Sequence, residues 1–146
     1  MEIILAENHG FCYGVKRAVE MANEAADGKG KSYTLGPIIH NPQVVGRLES
    51  KGVSPIQEVA DIDEGTMIIR SHGVGPAIYA EAEEKGLHIL DATCPHVKKA
   101  QQDAKSVIED GMTLVILGEK NHPEVKSINL WANNKGIIIE DEESAK

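Results

Sequence analysis

Two cysteines, three histidines and one glutamate carry the chemistry that this chain could perform. Cys12 stands in "HGFCYGV", His40 in "GPIIHNP", His72 in "SHGVGP", Cys94 in "DATCP", and His122 and Glu124 in "EKNHPEV". Each falls where an apolar, strand-like run gives way to a helical pattern, which is the end of a parallel sheet at which ligands bind. A thiol there could ligate a metal or act as a nucleophile, or it could fill a packed turn as a small hydrophobe. The cysteines are the only two in the chain and lie far apart with no CxxC, so any metal site must be assembled by the fold. An imidazole beside Pro or Gly at a helix entry can join free backbone N–H groups in holding phosphate, or simply cap the turn. Glu124, one residue behind Pro123, suits the positive end of a helix dipole and equally suits proton donation.

Other polar residues carry less. His88 alternates within an expected strand, His96 falls in a first helical turn, and His9 has no distinctive setting, so structural roles are expected for all three. Asn41, Ser71, Thr93 and Asn121 have caps and turns to satisfy before any functional duty. The glycine pairs of "HGFCYGV" and "SHGVG" permit close backbone approach, but there is no GxGxxG nucleotide signature.

The elements that must position these residues follow from periodicity. Strands are expected at Ile3 to Leu5, Tyr33 to Gly36, around Val53, and at Thr66 to Arg70, Leu87 to Leu90, Thr113 to Leu117 and Gly136 to Glu140. Between them run helical patterns, the first with Val15, Ala18, Val19, Ala22 and Ala26 on one face. Pro42, Pro76, Pro95 and Pro123 each mark a helix start, where the missing N–H costs nothing. The closing "EDEESAK" reads as the acidic first turn of a further helix. The whole is an α/β fold of repeated βα units with parallel sheets.

Composition agrees. Hydrophobic residues make up 41% of the 146 and aromatic residues only 3%, so the core must be aliphatic, as in parallel sheets covered by helices. The net charge of −8, without a basic block, argues against nucleic acid. An anionic ligand would have to be held by local donors, against the overall field. The "MEIILAENHG" start has no basic leader and no apolar run is long enough to span a bilayer, so a soluble, cytoplasmic protein without a membrane partner is expected. In a reducing compartment a Cys12–Cys94 disulfide is disfavoured.

Taken in order, "HGFCYGVKRAV", "GPIIHNPQVV", "RSHGV", "DATCP" and "NHPEV" resemble the 4-hydroxy-3-methylbut-2-enyl diphosphate reductase family, iron-sulfur enzymes of the non-mevalonate isoprenoid pathway. The resemblance runs over essentially the whole chain and covers the amino-terminal portion of the family pattern. It implies a three-lobed α/β fold around a central cavity, with residues 1–95 as the first lobe, 96–146 as an incomplete second, and the third absent, supplied by a separate chain if at all. It further implies that Cys12 and Cys94 are two of three cysteine ligands of a 4Fe-4S cluster, that His40, His72 and His122 hold the diphosphate, and that Glu124 delivers protons. The implied reaction is reductive dehydroxylation of the allylic diphosphate to isopentenyl and dimethylallyl diphosphates, with ferredoxin or flavodoxin as electron donor. The chain has no third cysteine. Two alternatives stand beside this reading: a diphosphate-binding α/β module without redox activity, and a zinc-dependent hydrolase using Cys12, Cys94 and one histidine with Glu124 as base.

Overall fold

Pro42, Pro76, Pro95 and Pro123 each occupy the first residue of a helix, as their fixed φ and lost donor dictate. The computed structural model describes residues 2–28 and 30–146. The helices are α1 (Tyr13–Asp27), α2 (Pro42–Ser50), α3 (Pro76–Glu84), α4 (Pro95–Glu109) and α5 (Pro123–Trp131). The strands are β1 (Ser32–Leu35), β2 (Val53–Ile56), β3 (Thr66–Ile69), β4 (His88–Asp91), β5 (Val115–Leu117) and β6 (Ile137–Ile139), and a 3-10 turn covers Val59–Asp61.

Strands β1 to β4 form one parallel sheet in the order β2-β1-β3-β4, and β5 pairs with β6, also parallel. From β1 the chain steps through α2 to β2, then crosses back past β1 to place β3 on its other side. Consecutive loops therefore diverge at β1 and β3, and a crevice must open above their carboxyl ends.

β3 is central, with Met67, Ile68 and Ile69 fully buried. Because side chains alternate along a strand, Ile68 enters a cluster with Ala18, Ala22, Val44 and Leu48 under α1 and α2, while Met67 and Ile69 face Ala82 and Leu87 on the α3 side. Helices thus cover both faces, which explains the continuous apolar run of β3. Tyr33, Ile78, Tyr79 and Ile89 extend the second cluster.

One expectation fails. Ile3, Ile4 and Leu5 form no strand and are 76%, 83% and 75% exposed. An apolar triplet satisfies the local preference for a strand, but a strand exists only through ladder bonds to a neighbour, and no described strand pairs with it. "EDEESAK" forms a turn with the reciprocal bonds of a capping box, the pattern of a helix's first turn: Asp141 Oδ1 accepts from Ser144 N at 2.8 Å, and Ser144 Oγ accepts from the Glu140 and Asp141 amides. No helix among the described residues is long and apolar enough to cross a membrane.

Candidate functional site

His40 follows β1 and His72 follows β3, so the two rings meet above the switch point with centroids 4.6 Å apart. His122, the N-cap residue of α5, completes the group at 5.6 Å from His72 and 6.2 Å from His40. One ring nitrogen of each lies within 4.8 Å of the others. Beside them is a crevice of about 240 Å³ lined by Phe11, Val15, Ile39, His40, Asn41, Ser71 and His72, which links the histidines to the chain next to Cys12.

Backbone bonds fix this arrangement. Ser71 N and Oγ both donate to Ile38 O, at 3.5 and 3.3 Å, and Ser71 O accepts from Cys94 N at 2.9 Å. The loops after β1, β3 and β4 are therefore stitched in sequence. Asn41 Oδ1 accepts from Val44 N and caps α2 as expected. α5 is clamped to the loop after β3 from two points: Ser127 Oγ donates to His72 O at 2.7 Å and Trp131 Nε1 donates to Val74 O at 2.9 Å. Behind Ser127, the fully buried Gln101 of α4 donates its Nε2 to the Ser127 Oγ at 3.2 Å. Gly73 has φ +70°, and a side chain there would collide with Gln101 and Thr93, so loop and helix are in direct contact.

The histidines differ electrically. Burial pushes the His72 pKa down to about 4, helped by His40, Arg70 and His122, and its Nδ1 is buried without a hydrogen-bond partner. His72 is therefore neutral near pH 7. His122 Nδ1 accepts from Glu124 N at 3.2 Å, which leaves its Nε2 as the protonated nitrogen of the neutral ring.

Cys12 and Cys94 are both free thiols and the N-cap residues of α1 and α4. Neither caps through its side chain, so each sulfur is available. α1 starts directly against Cys94: a Cβ on Gly14 would lie 2.5 Å from the Cys94 Sγ. Arg17 of α1 donates to Thr93 O and Asp91 O at 3.2 and 3.4 Å, tying this helix to the turn that carries Cys94. That turn is anchored by Asp91, which accepts from Tyr79 OH at 2.9 Å and Thr93 N at 2.9 Å and pairs with Lys98 at 2.6 Å. Burial raises the Asp91 pKa, but the donors from Lys98, Thr93 and Tyr79 outweigh it and hold the carboxyl below its usual value.

A cluster ligated by cysteine needs thiolates beside an environment that favours anionic groups, and two sulfurs at helix N-termini meet that requirement. Two is also the limit. Among the described residues the one group of three histidines, cysteines or acids close enough to share an ion is His40, His72 and His122, with neither thiol in it. The zinc centre of the hydrolase alternative, Cys12 and Cys94 with a histidine, is therefore not assembled among the described residues. A larger cavity of about 370 Å³, lined by Arg70, Asn121, Lys126 and Ser127 among others, lies behind the 73–75 loop and contains none of the six candidate residues.

Sequence reasoning missed Ser127, Gln101, Trp131 and Arg17. Gln101 had a signal: it falls between Val97 and Ala104 on the buried face of α4.

A parallel, doubly covered sheet with imidazoles gathered at its switch point, and thiols at adjoining helix starts, defines an α/β unit built to hold a ligand at its carboxyl edge. The family model described as LytB protein matches residues 3–146, and the chain belongs to that family. Its relatives include the 4-hydroxy-3-methylbut-2-enyl diphosphate reductases of Geotalea uraniireducens (strain Rf4), 51% identical across 100% of this chain and 52% of the relative, and of Geobacter metallireducens (strain ATCC 53774 / DSM 7210 / GS-15), 51% identical across 99% and 51%. Among solved structures, that of (E)-4-hydroxy-3-methyl-but-2-enyl diphosphate reductase, the terminal enzyme of the non-mevalonate pathway, superposes with a TM-score of 0.83 at 48% identity, covering 97% of this chain and 52% of that one. The E-1-hydroxy-2-methyl-but-2-enyl-4-diphosphate reductase from Plasmodium falciparum gives a TM-score of 0.90 at 32% identity, covering 94% and 44%. The chain spans about half the length of the curated relatives it matches.

Proposed function

We propose that this chain is the portion of a 4-hydroxy-3-methylbut-2-enyl diphosphate reductase that grips the substrate diphosphate and supplies two of the thiolates for a 4Fe-4S cluster. Residues 1–95 and 96–146 then correspond to the first lobe and part of the second in a three-lobed enzyme. The observation that carries this is the convergence of His40, His72 and His122 within 4.8 Å at the sheet's switch point, in a chain whose relatives are named for that activity.

In a protein of net charge −8, a diphosphate must be met by directed donors. His122 offers Nε2–H because Nδ1 is occupied by the Glu124 amide, and neutral His72 can offer a ring N–H without the cost of burying a charge. His40, the exposed member, closes over the anion from the β1 side. Cys12 and Cys94 would hold the cluster, which when bound supplies electron transfer and a Lewis-acidic iron. The overall change adds two electrons and two protons: the allylic C–O bond breaks, one proton leaves with the hydroxyl as water, and the other goes to carbon, giving isopentenyl or dimethylallyl diphosphate. Glu124, at the second position of α5 and adjacent in the helix to the diphosphate-holding His122, is assigned as the proton donor. Electrons come from a ferredoxin or flavodoxin in this reading, and the remaining cluster ligand from sequence outside these residues, continuous or on a separate chain.

One observation favours a narrower reading. The histidine trio is complete within the chain, whereas the thiolate set is not, so a diphosphate-binding module without redox activity remains the second reading. Anaerobic reconstitution with iron and sulfide, on the parent chain and on Cys12→Ser and Cys94→Ser, separates them, run beside calorimetry with inorganic diphosphate. Iron and acid-labile sulfide that depend on both thiols support the reductase assignment. Diphosphate binding with no iron uptake supports the module. Absence of diphosphate binding overturns both.

A further inference from the structure

The three imidazoles have the composition of a metal centre as well as of an anion grip. We propose that His40, His72 and His122 form a three-histidine site for a divalent ion of the zinc class, with an open coordination position, and that the ion displaces the amide cap at the start of α5. This does not depend on the diphosphate assignment.

The donor set selects the ion. Three neutral imidazoles suit Zn²⁺ and its first-row neighbours Co²⁺, Ni²⁺ and Cu²⁺, and suit Mg²⁺ or Ca²⁺ poorly because these prefer oxygen. Three protein ligands with a fourth position free is the arrangement of zinc sites that exchange ligands. In a tetrahedral zinc site the nitrogens, about 2.0–2.1 Å from the ion, stand roughly 3.3 Å from one another. The described separations, all within 4.8 Å, need only modest ring rotations to reach this. His40 is exposed, and the buried Nδ1 of His72 has no partner to give up.

His122 supplies the atomic signature. Its Nδ1 accepts from Glu124 N at 3.2 Å, so the ring proton sits on Nε2. Ligation through Nδ1 uses the lone pair that accepts this bond. Ligation through Nε2 moves the proton to Nδ1, which then cannot accept. Either way the Glu124 N–H must be released, and a long neutral hydrogen bond is a small loss against a metal–nitrogen bond. Diphosphate held by the Nε2–H leaves the same cap intact. The Glu124 amide therefore distinguishes an ion in the site from an anion in it.

The test uses the 146-residue Cys12→Ser/Cys94→Ser chain, so that thiolates do not compete, with Zn²⁺ titrated against a chelating dye and followed by amide NMR. The expected result is one equivalent of Zn²⁺ per chain, affinity lowered more than about tenfold in added His72→Gln or His40→Gln, and no change in His96→Gln, an exposed histidine of α4. The Glu124 amide should shift and exchange faster with Zn²⁺ but not with Mg²⁺. If the double variant does not fold, Co²⁺ in the parent chain serves, because thiolate ligation adds a charge-transfer band that imidazole ligation lacks. Binding that is indifferent to His72→Gln, an equal response to Mg²⁺, or a Glu124 amide unmoved at saturating Zn²⁺ would overturn the proposal.

Discussion

The hydroxyl of Ser127 lies 2.7 Å from the carbonyl of His72, joining the helix that begins with His122 to the loop that carries His72. One hydroxyl thus bridges the two elements whose relative placement sets the separation of these rings. Gln101 supports it from behind, so the bridge is locked in a dry environment.

Ser127→Ala should leave the His72 carbonyl without its side-chain donor and the buried Gln101 amide without its acceptor. The expected cost is about 1–3 kcal/mol, with a fall of several degrees in Tm. Affinity for inorganic diphosphate should fall with it, because the rings lose their fixed spacing. Calorimetry and thermal unfolding on parent and variant check this; unchanged values in both would remove Ser127 from its bridging role.

Gly14→Ala should act on Cys94. The new methyl would sit 2.5 Å from the Sγ, so α1 or the Cys94 turn must shift. Overpacking of this kind costs about 1–3 kcal/mol, against roughly 1 kcal/mol gained from helix propensity. Alkylation kinetics of Cys94, with Cys12 as internal reference, should change while helix content is retained. A Cys94 rate equal to the parent's would contradict the contact.

His72 makes stability pH-dependent in a predictable sense. Its pKa of about 4 in the folded chain lies below the value near 6.5 expected when unfolded, so between these limits the unfolded state binds more protons. Its contribution is fully present above about pH 6.5 and is lost as pH falls towards 4, amounting to about 1–2 kcal/mol once solvent screening of the half-buried ring is discounted. His40, Arg70 and His122 face the ring and oppose its protonation. Denaturant melts from pH 7 to 4 should be steeper in pH for the parent than for His72→Gln, and parallel curves would contradict the assignment.

Asp91→Asn should loosen the Cys94 turn by removing the charge that pairs with Lys98, and its single amide oxygen can keep only one of the two donors, Tyr79 OH on Oδ2 and Thr93 N on Oδ1. A loss of about 1–2 kcal/mol at neutral pH is expected. The carboxyl is depressed in the folded chain, so its contribution is present above the unfolded value near 3.9 and disappears as pH drops through the folded one. The difference in Tm between parent and variant should therefore be constant near neutrality and vanish in strong acid. A difference that persists there would mean that packing, and not charge, anchors the turn.

The helix starts were legible because proline removes the alternatives: at Pro42, Pro76, Pro95 and Pro123 sequence and structure agree to the residue. The aliphatic run of β3 was legible because burial on both faces leaves no polar alternation at Met67, Ile68 and Ile69. The placement of the six candidate residues before or at helix entries followed from the same pattern. That three of them converge did not: His40 and His72 meet only because β3 lands beside β1, and strand order is not written in any local stretch. Ile3 to Leu5 misled for the same reason, since apolar side chains state a preference and a neighbour must satisfy it. Ser127 and Gln101 escaped notice because a polar residue on an amphipathic helix is usually solvated, and only the packing of α4 against α5 buries them.

The crossing from β2 back to β3 has a kinetic consequence. Leu35 registers with Ile69 across a long intervening loop that itself contains β2, so this pairing requires a distant ring closure, whereas α1 and α5 can form from contacts near in sequence. Helices should appear first on refolding, and the proximity of His40 to His72 should appear only when the β1–β3 ladder closes. A fluorescence transfer pair across these two loops would then report the slow phase and stay blind to the fast one.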